Sequence, residues 1–336
     1  MVQLRKVHGS ENHFFLLDQT TLSEKLNDAE LTALAQQVTD PATGILNGAD
    51  GVLVVDESTH DNVLGQMRVI NADGSEASMC GNGLRTVSRY LAEKHHTNQF
   101  KVETLQADLQ VSRQSDLAAN VPAFSVEISP VRFNPSAFPF ENLGDQPLID
   151  SPVPAFLPGL NFTAIAVPNP HLISFVDEEE INNDDLGKLG TMLNKPNEYF
   201  TDGVNVSFAQ ILGPNQLFVR TFERGVGFTN ACGTGMSATS LAFAMVHPNL
   251  GHFDDPITVY NPGGMVKTKV HKDADRYYID LIGNATQTHV IDVDEADLHH
   301  ANVTVKTTDV TETDEEAAYL NFVDGLPTVS AVEVKK

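Results

Sequence analysis

Residues 223–246 read ERGVGFTNACGTGMSATSLAFAMV, and the second half of this stretch decides the fold. From Met236 to Val246 every residue is apolar or small. A helix built from it has no polar face to turn towards water and must be buried all round. The rest of the chain reads mostly as short strands between turns, several alternating apolar with polar residues as sheets with one buried face do. Such strands fall at Val52–Val55, Met67–Ile70, Phe162–Val167, Leu172–Val176, Val204–Ile211, Leu217–Thr221, Ile257–Tyr260 and Tyr277–Leu281. In a strand-rich protein a wholly buried helix belongs inside a curled sheet. The expected class is α+β, a mostly antiparallel sheet curled around a central helix.

The front of the same stretch has a counterpart. Residues 71–85 read NADGSEASMCGNGLR and residues 223–237 read ERGVGFTNACGTGMS. Each is a turn of glycine and polar residues, followed by Cys-Gly-x-Gly opening a helix. The copies stand close to half a chain length apart in 336 residues, which predicts two pseudo-symmetric domains. The first, residues 1–128, carries Cys80 and is completed by a strand near 284–295. The second, 129–283, carries Cys232, and residues 296–336 form an acidic C-terminal extension that reads as solvated. The proline-rich stretch Ile128–Pro158 reads as the crossing between halves. Three helices are expected: Asp28–Val38 with Pro41 beyond it, one from just after Cys80 to about Lys94, and one from just after Cys232 to about Val246. In the second, Leu84, Val87 and Leu91 recur at helical spacing. The N-terminus, MVQLRKVHGSENHFFLLD, reads as strand.

Charge narrows the partners. Lys and Arg number 21 against 45 Asp and Glu, a net −24. So acidic a surface repels phosphate backbones and anionic lipid, which points to neither nucleic acid nor membrane as partner. No apolar stretch approaches the ~20 residues that span a bilayer, and the N-terminus lacks the apolar core of a secretion signal. Two cysteines without an export signal are thiols kept reduced in the cytoplasm.

Those two cysteines carry the chemistry. At a helix start, unpaired backbone N–H groups and the positive end of the helix dipole converge. Glycines let a carboxylate or phosphate approach closely, and a cysteine there gains thiolate character. Buried structural cysteines are common, but that reading does not explain why both sit in matching glycine-rich helix starts. A disulfide oxidoreductase would show Cys-x-x-Cys. Zinc would need Cys or His pairs at short spacing, whereas the 12 histidines are scattered. Acid–base catalysis by two opposed thiols meets a definite demand. Inverting a stereocentre without a cofactor takes a proton from one face and returns one to the other, so two groups are needed.

These residues resemble the diaminopimelate epimerase family. The two cysteine motifs match its signatures, and further matches occur in order: His8-Gly9 with Asn12, Gly48-Ala-Asp-Gly51, Asn169-Pro-His171 and Gly203-Val-Asn205. The resemblance runs from residue 1 to about 290. It implies interconversion of LL- and meso-2,6-diaminopimelate in lysine and peptidoglycan-precursor synthesis, with no cofactor and no metal, by two similar domains, often in a homodimer. It also implies roles. Cys80 and Cys232 are the acid–base pair, with His171 and Glu223 beside the reacting centre. Backbone N–H groups of Gly81, Asn82, Gly233 and Thr234 hold the reacting carboxylate. Asn12, Asn71, Asn169, Asn205 and Arg224 line the pocket, the last four recognising the distal amino-acid end. Arg224 offers that end a planar fork for its carboxylate.

Three positions depart from the family pattern. His13 stands for an acid, Phe228 for a carboxylate in Gly-x-Gly-Glu-Thr, and Pro168 for the glycine before Asn-Pro-His. They bear on the pocket wall and substrate preference. Proline or hydroxyproline racemases of the same fold are the near alternative, but usually carry Cys-Gly-His-Gly where this chain has Asn82. A non-catalytic binder or a redox sensor using the same thiols is the alternative from another class.

Overall fold

The N-terminal stretch makes two strands because the chain turns back on itself there. Strands β1 (Val2–Gly9) and β2 (Asn12–Asp18) pair antiparallel, and Ser10 and Glu11 make the turn with φ of 54° and 60°. The sequence suggests one strand, and the structure has a hairpin. The protein is described as a computed structural model over residues 1–137, 140–274 and 276–326. It divides into one unit of Met1–Val126 with Ile282–Gly325, and a second built mainly from Glu127–Leu281.

In the first unit β3 (Gly51–Asp56), β4 (Gly65–Asn71), β5 (Glu76–Ala77), β6 (Gln99–Glu103), β7 (Asp108–Ala118) and β8 (Val121–Ile128) follow β2. Helix α1 (Asp28–Thr39) joins β2 to β3, and α2 (Gly81–His95) joins β5 to β6. Asn27 opens α1 in a capping box with Glu30, each satisfying the other's unpaired N–H. Pairing runs β1–β2 antiparallel, β2–β3 parallel, β3–β4 antiparallel, β4–β6 parallel and β6–β7 antiparallel. The short β5 pairs with β4 just before α2. Leu84, Val87 and Leu91 are buried, and α2 packs against β1, β2, β3, β4 and β7.

The second unit repeats this order. Its strands are β9 (Ser151–Pro152), β10 (Asn161–Val167), β11 (Asn169–Phe175), β12 (Asn205–Gly213), β13 (Gln216–Glu223), β14 (Gly227–Phe228), β15 (Pro256–Asn261), β16 (Gly264–Asp273) and β17 (Arg276–Asn284). Pairing runs β10–β11 antiparallel, β11–β12 parallel, β12–β13 antiparallel, β13–β15 parallel and β15–β16 antiparallel. β14 pairs with β13 just before the unit's central helix, as β5 does with β4. Helices α3 (Glu178–Asn182) and α4 (Asp185–Leu193) stand where α1 stands, and α5 (Gly233–Val246) where α2 does. α5 is buried continuously from Gly233 to Ala244 and packs against β10, β11, β12, β13, β15 and β16. The fold is α+β, each unit a curled, mostly antiparallel sheet around one helix.

Two stretches differ from their sequence reading. The proline-rich stretch, of which residues 138 and 139 lie outside the described residues, does more than cross. Phe140, Leu148, Val153 and Phe156 join the second unit's core with Phe162, Leu189 and Phe200. The acidic extension, of which residues 327–336 lie outside the described residues, is bound into the first unit. β18 (Thr286–Val293) pairs with β1, and β19 (Thr308–Glu312) pairs with β18. Between them α6 (Glu295–His299) brings Leu298 into the core beside Leu34 and Val38. Helix α7 (Glu315–Asp324) packs against β7 and β18 with Tyr319 fully buried. Glu315 pairs with Arg89, and Glu316 with the buried His8. The carboxylates that make this segment look solvated are partners for the Arg89 guanidinium and the His8 ring of the folded unit. Among the described residues no helix is long and apolar enough to cross a membrane.

Candidate active site

Each cysteine caps its helix. Cys80, with extended φ and ψ of −142° and 106°, is the N-cap of α2, and its Sγ accepts from the Gly83 N–H at 3.3 Å. Cys232, at −110° and 102°, is the N-cap of α5, and its Sγ accepts from the Gly235 N–H at 3.4 Å. A sulfur held against a helix N-terminus faces unpaired N–H groups and the positive dipole end, both of which favour thiolate. The second glycine of each motif lets the helix start close to a strand. A Cβ at Gly83 would meet Leu53 at 2.6 Å, and one at Gly235 would meet Thr221 at 3.0 Å.

Around Cys80 the first unit gathers amides. The Cys80 thiol faces Asn12 Oδ1 at 3.7 Å, and the same oxygen accepts from Asn82 Nδ2 at 3.2 Å. Asn12 is held in turn by Asp50, whose Oδ2 accepts from Asn12 Nδ2 at 2.7 Å and from the His13 N–H at 2.8 Å. Asn71, opposite Gly51 at the end of β4, donates to Ser75 Oγ at 3.0 Å. Gly81 and Asn82 are buried in the first turn of α2. Burial pushes the neighbouring His13 imidazole down to about 4, so it is neutral at pH 7.

Around Cys232 the second unit gathers charge. Thr234 Oγ1 lies 3.6 Å from the sulfur. Glu223 ends β13, and its Oε1 accepts from Thr229 Oγ1 at 2.5 Å. Burial, and then the Glu223 carboxylate, push the Cys232 thiol well above its ordinary range. His171 lies opposite Asn205 in the parallel pair β11–β12. It is fully buried, and neither ring nitrogen has a hydrogen-bond partner among the described residues. Burial, with the Arg224 charge second, drops it to about 3. At neutral pH His171 is therefore a neutral imidazole and not a cation. Asn205 donates to the Pro170 carbonyl at 3.1 Å and accepts from the Arg224 N–H at 2.8 Å. Arg224 Nη1 donates to the Asp202 carbonyl at 3.0 Å, with the guanidinium otherwise towards solvent. Asn169 is half-buried at the start of β11, and Gly233 and Thr234 open α5.

The site residues thus fall into two sets. Asn12, Asn71, Cys80, Gly81 and Asn82 stand at strand ends and the helix start of the first unit. Asn169, His171, Asn205, Glu223, Arg224, Cys232, Gly233 and Thr234 stand at the corresponding places of the second. An open cleft of about 1090 Å³ between α4 and β13–β14 is lined by Arg220, Phe228, Thr229 and Asn230. Phe228 packs edge-on against Phe222 with centroids 5.4 Å apart, and Arg220 lies over its ring at 5.1 Å. Phe228 is thus a wall of that cleft. Asp50 and Thr229 hold site residues and carry no role in the sequence reading. Asp50 was visible in Gly-Ala-Asp-Gly, but its hydrogen bond to Asn12 depends on the parallel pairing of β2 with β3. Among the described residues no three His, Cys, Asp or Glu side chains gather as metal ligands do.

Comparison with known proteins bears on the chain as a whole. The family model for diaminopimelate epimerase matches residues 4–127 and 163–287. A diaminopimelate epimerase of Lactiplantibacillus plantarum is 51% identical over 329 residues, covering 97% of this chain and 98% of the relative. One of Enterococcus faecalis is 52% identical over 326 residues, covering 97% and 98%. Among solved structures, a phenazine biosynthesis protein of the PhzF family from Bacillus anthracis superposes with a TM-score of 0.59. It does so at 16% identity, covering 85% of this chain and 96% of that one, a likeness of fold alone.

Proposed function

This chain belongs to the diaminopimelate epimerase family, and on that premise we propose that it interconverts LL- and meso-2,6-diaminopimelate by a two-base mechanism on Cys80 and Cys232. The observation that carries the reading is the matched pair of cysteine N-caps, each at the start of a buried helix within a repeated strand order. One sulfur, as thiolate, takes the α-proton, and the other, as thiol, delivers a proton to the opposite face. The roles exchange when the reaction runs backwards. The substrate carboxylate binds to the backbone N–H groups of Gly81–Asn82 and Gly233–Thr234. Carbanion charge spreads onto that carboxylate as the proton leaves, and each well-aimed donor is worth roughly 3 kcal/mol there. Each positioned acid or base contributes about 10²- to 10⁴-fold.

His171 and Glu223 attend the reacting centre. Neutral His171 offers one donor and one acceptor, and Glu223 keeps Cys232 protonated until the carbanion needs its proton. Asn71, Asn169, Asn205 and Arg224 bind the distal end, with Asn12 on the Cys80 side. The working form is a homodimer in the cytoplasm. Proton NMR in D2O tests the assignment. The purified protein should exchange the α-hydrogen of LL-diaminopimelate without added metal or pyridoxal phosphate, and leave proline and hydroxyproline untouched. Exchange of proline in preference to diaminopimelate, or exchange only with an added cofactor, would overturn it.

A further inference from the structure

Arg85 has no role in the chemistry described so far. It lies five residues into the sequence from Cys80, in the second turn of α2, and is the largest fully buried side chain described. Its Nε donates to the Asn284 carbonyl at 3.1 Å and its Nη2 to Ser10 Oγ at 3.3 Å. Nη1 has no hydrogen-bond partner among the described residues. Space is reserved for it. A Cβ at Gly9 would meet Nη2 at 2.7 Å, and one at Gly283 would meet Nε and Cζ at 2.9 Å. None of the ion pairs among the described residues includes Arg85, whereas its neighbour Arg89 has two carboxylates.

A guanidinium buried without an anion is costly, and buried charges are normally paired. Burial lowers Arg85 to about 10, so it remains charged at neutral pH. The groups that face it electrostatically are Tyr319 of α7 and Cys80. Tyr319 is itself faced by Glu11, Glu316 and the edge of His8. Burial raises the Tyr319 hydroxyl far above neutrality, so the tyrosine supplies no anion. Cys80 is what remains.

We propose that Arg85 is a positioning residue that holds a fixed positive charge behind Cys80 and makes this sulfur the resting thiolate of the pair, with Tyr319 of the C-terminal segment sealing the charge from water. The corresponding residue five after Cys232 is Ser237, whose hydroxyl donates to the Gly233 carbonyl at 2.8 Å. Helix α5 itself carries no Lys or Arg. The catalytic use of the thiolate rests on the two-thiol reading above, but its formation does not.

The test is the pH dependence of alkylation by iodoacetamide in the full chain, with Cys80 and Cys232 read separately by peptide mass spectrometry. A unit charge on the order of 10 Å away, at an effective protein dielectric of about 20, shifts a thiol by about one unit, or tenfold in thiolate below the midpoint. Arg85→Gln should slow Cys80 alkylation at pH 7 about tenfold and move its midpoint up by about one unit. Arg85→Lys should stay within about threefold of the parent, since the charge persists. A variant that only loosened the fold would speed alkylation of both cysteines. Superposed Cys80 profiles for the parent and Arg85→Gln would overturn the proposal. Should Arg85→Gln fail to fold, Tyr319→Ala, which wets the guanidinium, should slow Cys80 about threefold, and no change there would overturn it equally. A chain without epimerase activity whose Cys80 still follows Arg85 would sink the proposed function and leave this inference standing.

Discussion

The two halves share a strand order and differ in charge. Both place a cysteine on the N-cap of a buried central helix, with its sulfur on the N–H three residues ahead. At Cys80 the strand end opposite is Asn71 and the helix interior holds Arg85. At Cys232 the same two places hold Glu223 and Ser237. One frame has an amide at the strand end and a cation behind the thiol, and the other has a carboxylate beside a more deeply buried thiol. The repeat therefore supplies geometry, while the departures from the repeat supply polarity. A reaction that needs one thiolate and one thiol at the start is served by that inequality.

Removing either sulfur breaks the comparison most severely. Cys80→Ala and Cys232→Ala should each lower kcat by up to about 10⁴-fold, with diaminopimelate still bound by calorimetry. A single variant keeping a tenth of parent turnover would show that the halves do not share the work. Next in size is the proposed distal clamp, whose cation, Arg224, lies in the second unit. Arg224→Ala loses a charge-assisted contact of about 1.5–3 kcal/mol, so kcat/KM should fall roughly ten- to a hundredfold, chiefly through KM. An effect confined to kcat would move Arg224 to the reacting centre. Glu223→Gln sharpens the charge difference itself. Without that carboxylate the Cys232 thiol falls towards its ordinary range, and its alkylation at pH 8.5 should rise about tenfold. An unchanged rate would mean that burial alone raises it.

The smallest effect is on stability. His171 is neutral in the folded chain, with its value lowered from 6.5 to about 3. Between those pH values the unfolded chain binds the extra proton, so stability is full above pH 6.5 and is lost as pH falls towards 3. His13, lowered to about 4, acts in the same direction. Thermal unfolding should move down steadily from pH 7 to pH 4, and the slope should be shallower in His171→Gln. A parallel slope in the variant would show that His171 takes no part in it.

Much of this was legible in the sequence. The helix from Gly233 was readable because Met236–Val246 has no polar side, and a candidate site because Cys-Gly-x-Gly occurs twice. Helices α3 and α4 were missed although Asp177 and Glu180 form a capping box. The apolar residues of α4 span only Leu186 to Leu193, too few turns to show a period. The C-terminal segment was misread because Glu315 and Glu316 look like solvent-facing charge. Their partners, Arg89 and His8, are remote in sequence, and composition cannot reveal such pairs. Arg85 was in plain view in the first motif. Its burial shows only in the fold, because adjacent helix positions point to different faces, and an arginine draws no notice until its missing counterion is seen.

The most direct measurement follows where deuterium goes in the first few per cent of reaction of LL-diaminopimelate in D2O. With two sulfurs on opposite faces, newly formed meso product should carry solvent deuterium at the inverted carbon while recovered LL substrate keeps its α-hydrogen. If the recovered substrate instead gains deuterium as fast as product appears, one group serves both faces, and the division of labour between Cys80 and Cys232 is wrong.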